Sequence, residues 1–450
     1  MDWSVHIGVD LNIRMLGVCL SLAGLLPAFH AGAETLDQAL ATAYRSNPQL
    51  QAARAGQRAA EHDVAAAKGG WYPKLNLTGG VSRDNTSGQI TFFPLPPFSA
   101  SLDQSTVALR LDQPIWQGGT LSSQVNAAED KASAVHANTR ARESAVLLSA
   151  VRAYLGVVTA QAVLKVQVHN VNTLQHQLEA ARQSLAHGEG TRTDVAQAKS
   201  RYEGAVAARI QAQAALARSR ENYTTVIGAP PTGSLSLPQT LPHLPATLRQ
   251  AEALAGQNYS VTAARFTAQA AHAEASREHG KLLPKVGLYA EVVRENNPQY
   301  GFERVTNRVV GLSVDVPIWQ GGTVHAQVAA ARERAQEAEM NTRATVNAAR
   351  NQAVSAWQNY LAAQSTVSSI QSQLDAARIA YEGIKAEHEH GLRTLTDVLN
   401  ALQDERNAHV ALLRAQRDRI VAAYAVLDAT GGLSARALGL PLGNGTDKGS

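Results

Sequence analysis

The chain has 450 residues, of which 45% are hydrophobic, 5% aromatic and 17% charged, and its formal charge is +4. Acids and bases are mixed without a basic arm or tract, which excludes the electrostatic footprint of a nucleic-acid binder. The single cysteine, Cys19, leaves no disulfide and no cysteine metal site in the processed chain.

At the N-terminus, Arg14 precedes an apolar run from Met15 to Phe29, and Ala31-Gly32-Ala33 stands before Glu34. Residues 1–33 therefore read as a secretory signal peptide cleaved after Ala33. Met15 is an alternative start that would leave out Arg14. Lipidation would need a small residue before Cys19, where Val18 stands. No later stretch is read as approaching the ~20 apolar residues of a membrane-spanning helix, so a mature chain that crosses a membrane must cross as strands.

The mature chain is a duplication. The hexapeptide PIWQGG occurs at Pro114 to Gly119, with Trp116 and Gly118, and again at Pro317 to Gly322, with Trp319 and Gly321. His187, Gly188, Asp194 and Val195 recur as His390, Gly391, Asp397 and Val398 at the same offset of 203. Upstream the offset is 211, pairing Asn47 with Asn258 and Pro73 with Pro284, so the first copy holds eight extra residues between its strands. The expected organisation is a first repeat at 34–228, a linker at 229–247, a second repeat at 248–431 and a tail at 432–450. Pro230, Pro231, Pro238, Pro242 and Pro245 interrupt regular structure in the linker, which should run across the middle of the molecule.

Within the first repeat the pattern predicts a helix from Leu36 to Gly69, then strands from Lys74 to Arg83 and from Ser105 to Ile115. A helix from Gly119 to Gly188 and one from Asp194 to Ile227 come next. The second repeat gives a helix from Leu248 to Leu282, strands Lys285 to Glu295 and Arg308 to Ile318, a helix from Gly322 to Gly391 and one from Asp397 to Ala429. Each long helix has about 68 residues and spans roughly 100 Å. Two short helices set end to end match one long helix, which gives a rod with strands at one end and tight hairpin tips at the other.

The strands alternate. Val310, Leu312, Val314 and Val316 share one face while Val309, Gly311, Ser313 and Asp315 share the other. Their lengths are close to the ~9–11 residues of a tilted membrane strand. Soluble half-buried hairpins have the same alternation, but helices of this length cannot fold back over a small sheet. Trp71, Trp116 and Trp319 stand at strand ends, where either an interfacial girdle or packing at the helix junction would place them. Four strands cannot close a barrel, and an open edge is not tolerated in lipid. Two copies give a barrel filled by side chains, and three give twelve strands with a lumen. The longer connection, Ile90 to Asp103, is expected at the outer face.

The tips read HGEGTRTDVAQA from His187 and HGLRTLTDVLNA from His390. Gly188 and Gly391 suit left-handed C-caps. Thr191 to Asp194 and Thr394 to Asp397 have the spacing of a capping box. His388, Glu389 and His390 are too close in sequence to share one ion on a helix, so no metal is expected. No phosphate loop or nucleophile constellation occurs, so neither catalysis nor a cofactor is expected.

Signal peptide, duplicated strand pairs, both PIWQGG junctions and both Gly-x5-Asp-Val tips together resemble the TolC family of outer-membrane efflux and secretion channels, over Glu34 to Leu440. The resemblance implies a mainly α fold with transmembrane β: a homotrimer whose twelve-stranded barrel sits in the outer membrane lipid and continues as an α-helical periplasmic tunnel. It implies a conduit and not an enzyme, working with a periplasmic adaptor (membrane fusion) protein and an inner-membrane transporter. The stretch GTRTDVAQAKSRYEG and the ending ARALGLPLG look most like members serving type I protein secretion; the alternative is multidrug efflux. By the same resemblance Asp397, Asn400 and Arg393 line the periplasmic aperture, and Asp194 joins interhelical contacts that hold it closed. Gly188, Thr191, Arg192, Gly391, Leu392 and Thr394 form the turns that meet the adaptor. Asn400 stands where some relatives have an aspartate, and His388 where a tyrosine contributes to closure, which would let closure respond to pH. A periplasmic adaptor would show one hairpin between halves of compact β domains. A coiled-coil fibre would show sustained heptads without duplicated strands.

Overall fold

The computed structural model describes residues 34–88, 98–299 and 302–440. The expected signal peptide, most of the expected outer loop and residues 441–450 lie outside them. In chain order the elements are α1 (Leu36–Ser46), α2 (Pro48–Lys68), β1 (Lys74–Gly88), β2 (Phe98–Trp116), α3 (Thr120–Ala186) and α4 (Arg192–Ile227). The second repeat continues as α5 (Leu248–Ala255), α6 (Tyr259–Gly280), β3 (Lys285–Gln299), β4 (Phe302–Asp315), α7 (Thr323–Glu389) and α8 (Leu395–Thr430).

The helices expected at Leu36 to Gly69 and Leu248 to Leu282 are each broken in two. Asn47 ends α1 in an extended conformation, and its side chain accepts from the N–H groups of Gln49 and Leu50. Pro48 then opens α2, at the position where a missing N–H costs nothing. Asn258 caps α6 the same way through Val261 N–H. Both asparagines also dock the break onto a neighbouring helix end: Asn47 Nδ2 donates to Val226 O at 2.9 Å, and Asn258 Nδ2 donates to Ala429 O at 3.2 Å. These bonds set α2 end to end with α4 and α6 end to end with α8. The long helices α3 and α7 each run past such a pair.

The strands form one antiparallel sheet in the order β1-β2-β3-β4, leaving β1 and β4 as open edges. All four are longer than expected, with 15, 19, 15 and 14 residues. Residues 98–103, expected in the outer loop, belong to β2. At its other end β4 stops at Asp315 and not at Ile318, whereas β2 continues to Trp116 because β3 still pairs with it there. The apolar face is left bare: Val81 is 86% exposed, Leu77 72% and Val310 77%.

The core lies around the middle of α3, where Leu147, Val151, Tyr154 and Leu155 are fully buried. Against them pack Leu40 of α1, Tyr223 and Ile227 of α4, Tyr424 of α8 and Leu235 of the linker. This corrects one reading of the sequence, since α3 contains an 18-residue window with mean hydropathy 1.6, apolar enough to cross a membrane. Its apolar character is used in this core, where most of the window is buried. The segment read as a tail is anchored as well: Leu433 is fully buried, and Ala435 N–H donates to the buried Glu143 carboxylate at 2.8 Å.

The first described residue is held from several sides. Glu34 accepts from Tyr223 Oη at 2.6 Å, from Thr232 N–H at 2.9 Å and from Thr232 Oγ1 at 3.0 Å. Its carbonyl lies 2.8 Å from Tyr154 Oη, which also accepts from Ser236 N–H. One carboxylate therefore joins the residue just before α1 to α4 and the linker.

Candidate gate at the hairpin tips

Each tip is built by the same local chemistry. His187 caps α3 and His390 caps α7, and the next residues, Gly188 and Gly391, take φ of 78° and 74°. In this left-handed conformation a side chain would be strained. The next N–H folds back onto the last helical turn: Glu189 donates to Ser184 O and Leu392 to Glu387 O, both at 2.9 Å, the pattern of a Schellman cap. The outgoing helices open with reciprocal capping boxes, Thr191 with Asp194 and Thr394 with Asp397. Arg192 begins α4, and Leu392, at 75% exposure, projects from the second tip.

The polar groups at the second tip form a connected set. Arg393 Nε donates to Glu387 Oε2 at 2.7 Å, and the Arg393 carbonyl accepts from His388 Nδ1 at 2.8 Å, so that nitrogen carries a proton. The Thr394 hydroxyl and backbone N–H donate to Asp397, and with Arg393 nearby these bonds hold its carboxyl below the usual carboxylate range. Glu387 in turn raises the pKa of Arg393. Asp397 is therefore ionised at neutral pH, and Arg393 is latched to its own hairpin.

Contacts between the two tips join one expected site residue, Asn400, to Arg201 and add the pair Thr396 and Gln197, and the sequence did not single out Arg201, Thr396 or Gln197. Thr396 donates to Gln197, and Arg201 Nη2 donates to Asn400 Oδ1 at 2.7 Å. Both pairs are 199 residues apart and one helical turn from each other, so α4 and α8 run side by side in parallel. Asp194 spends its hydrogen bonds within its own capping box, and these two pairs are polar ties between the two tips. Gln197 and Asn400 are equivalent positions of the two repeats at the offset of 203, and each is tied across to the other repeat. Beneath them Val171, Leu174, Ala205, Leu399 and Leu402 form a small apolar cluster. His388 is engaged with the Arg393 carbonyl, and among the described residues no group of three or more His, Cys, Asp or Glu is placed to hold a metal.

At the opposite end, the two PIWQGG segments turn strand into helix. Gly118 and Gly119 have φ of 63° and 79°, and Gly321 and Gly322 have 62° and 76°. The copies differ in their surroundings. A Cβ on Gly118 would run into the Gly280 carbonyl and come within 2.9 Å of Leu283, whereas nothing lies within 4 Å of one on Gly321. Pro114 and Trp116 flank a register shift against β3, and Pro317 and Trp319 lie beyond β4, with Trp319 82% exposed.

The model of the family described as "Outer membrane efflux protein" matches residues 39–229 and 251–432. The outer membrane efflux protein BepC of Brucella suis is 32% identical over 95% of this chain and 92% of that protein. The proteases secretion protein PrtF of Dickeya chrysanthemi is 26% identical over 85% of this chain and 88% of that protein. In fold, the chain superposes on the CmeC outer membrane channel of Campylobacter jejuni with a TM-score of 0.79, covering 94% of each chain at 16% identity. The resemblance to TolC channels read from the sequence is thereby confirmed, and the family is one of channels and not of enzymes. The chain belongs to the outer membrane efflux protein family and is an outer-membrane channel protein with the helical-tunnel fold of that family.

Proposed function

We propose that three copies of this chain pair β1 of one with β4 of the next, closing a twelve-stranded barrel in the outer membrane above a continuous helical tunnel. The assembly is the exit duct of a tripartite export system, receiving cargo from an inner-membrane transporter through a periplasmic adaptor. One observation carries this reading: a four-stranded sheet with two open edges and a bare apolar face leads into helices of roughly 100 Å. Lipid covers that face, and only further copies satisfy those edges. The cargo is a secreted protein, as for the protease-secretion relative, and the similarity to the efflux protein BepC favours efflux as the second reading.

In this duct the tips form the gate. Three-fold symmetry turns Asp397 into a ring of ionised carboxylates and places Asn400 as a neutral ring one helical turn further along α8. Arg393 and His388 brace the hairpin of α7 and α8, and Asp194 braces that of α3 and α4. Gly188, Thr191, Arg192, Gly391, Leu392 and Thr394 present the turns to the adaptor. Opening separates two arrangements whose balance a docked adaptor shifts.

Single-channel recording in planar bilayers tests the gate. Low, cation-preferring conductance is expected, rising in Arg393→Ser and with weaker cation preference in Asp397→Ala. A folded protein that never conducts would contradict the duct.

A further inference from the structure

The two faces of the sheet are chemically unlike, and the register fixes which residues share each. Leu77, Leu109, Val292 and Val310 lie on the apolar face. Arg110, Asp112, Tyr289, Glu291 and Gly311 lie on the other, which is the lumen side in the three-chain duct proposed above.

These lumen-side residues form one compact layer across β2, β3 and β4. Arg110 stands directly opposite Glu291 and Asp112 directly opposite Tyr289, which faces Gly311. The Arg110 guanidinium is 3.0 Å from Asp112, 3.5 Å from Glu291 and 5.3 Å above the Tyr289 ring. The Tyr289 ring lies across Gly311, because a Cβ there would be 2.7–2.8 Å from its atoms. Glycine thus makes the space, tyrosine fills it, and the ring supports the arginine. The layer carries one cation and two carboxylates per chain. Lys74, Lys285 and Asp315 stand on the same face at the helix end, and Asp84 and Glu295 toward the other end. The layer is therefore a separate band of fixed charge well away from the hairpin tips.

We propose that this layer is a second ion-selectivity ring, set inside the barrel and independent of the tips. Fixed charges that line a pore select among passing ions. Three copies give an acidic excess that favours cations, and Arg110 sets how strong that preference is. Tyr289 on Gly311 holds Arg110 in place, so it is a positioning residue and not itself a charge of the ring.

Reversal potentials in a salt gradient test the proposal, with Asp397→Ala as the background in which the tip carboxylates are gone. That background is expected to keep part of its cation preference. Adding Glu291→Gln should take the permeability ratio toward unity, adding Arg110→Ala should raise it, and adding Arg110→Lys should leave it unchanged. Migration of the assembled protein on gels shows that each variant has folded. Reversal potentials in the Glu291→Gln and Arg110→Ala variants equal to the background would overturn the second ring while leaving the duct intact. Absence of conductance from the folded wild type would overturn the duct, and the ring with it.

Discussion

Replacing Tyr223 by Phe removes one hydroxyl from a fully buried ring and leaves Glu34 Oε1 without its 2.6 Å donor. The two bonds from Thr232 to the other carboxylate oxygen remain. A hydrogen bond to a charged group contributes about 1.5–3 kcal/mol, and each 1.4 kcal/mol is a factor of about ten in an equilibrium. Local opening of α1 and the linker should therefore become roughly ten- to a hundredfold more frequent. Amide hydrogen exchange reads this directly: protection should fall by that factor at Thr232 and along α1, while amides in the distal half of α7 keep theirs. Glu34→Ala should produce at least as large a change, since it removes the Tyr223 bond and both Thr232 bonds, and adding Tyr223→Phe to it should change little further because the bond they share is already gone. Unchanged exchange in α1 and the linker of Tyr223→Phe would refute the assignment of this carboxylate as the tie.

The same geometry sets three further outcomes. Burial pushes Tyr424 up to about 12, so its stabilising contribution is complete below the unfolded tyrosine value near ~10 and is lost as pH rises towards about 12. Tyr424→Phe should remove about 3 kcal/mol of that alkaline sensitivity in unfolding measured against pH. His409 is shifted the other way, since burial outweighs the pull of Glu405, while Arg406 and Arg378 add to the depression. Its contribution is present above the ordinary histidine value and lost as pH falls below it, so His409→Gln should flatten the acid side of the same profile. At the junctions, Gly321→Ala should cost about 1–2 kcal/mol for a left-handed alanine. Gly118→Ala should cost more and reduce assembly, because its Cβ meets the Gly280 carbonyl, and comparing trimer yield of the two variants checks this.

Much of this architecture is legible in the sequence because the repeat is long and its punctuation is physical. PIWQGG marks both strand-to-helix turns, and the left-handed glycines found there are what that spelling requires. The break in the first short helix is also encoded: Asn47 precedes Pro48, and a residue before proline leaves the helical region. Periodicity alone predicts one helix there because proline at N1 does not interrupt the apolar pattern. Alternation underestimates the length of β2, since Phe98 to Asp103 mixes apolar and polar residues without a clean period. The ties between tips, Thr396 with Gln197 and Arg201 with Asn400, depend on how two distant helices lie against each other, and no local pattern encodes that offset. The same holds for Arg110 on Tyr289, which requires the register of β2 against β3.

Three chains close what one leaves open, and native mass spectrometry of the protein released from detergent measures this. A single assembly with the mass of three mature chains is expected. A species of one or two chains, retaining its fold and its place in the outer membrane, would contradict it.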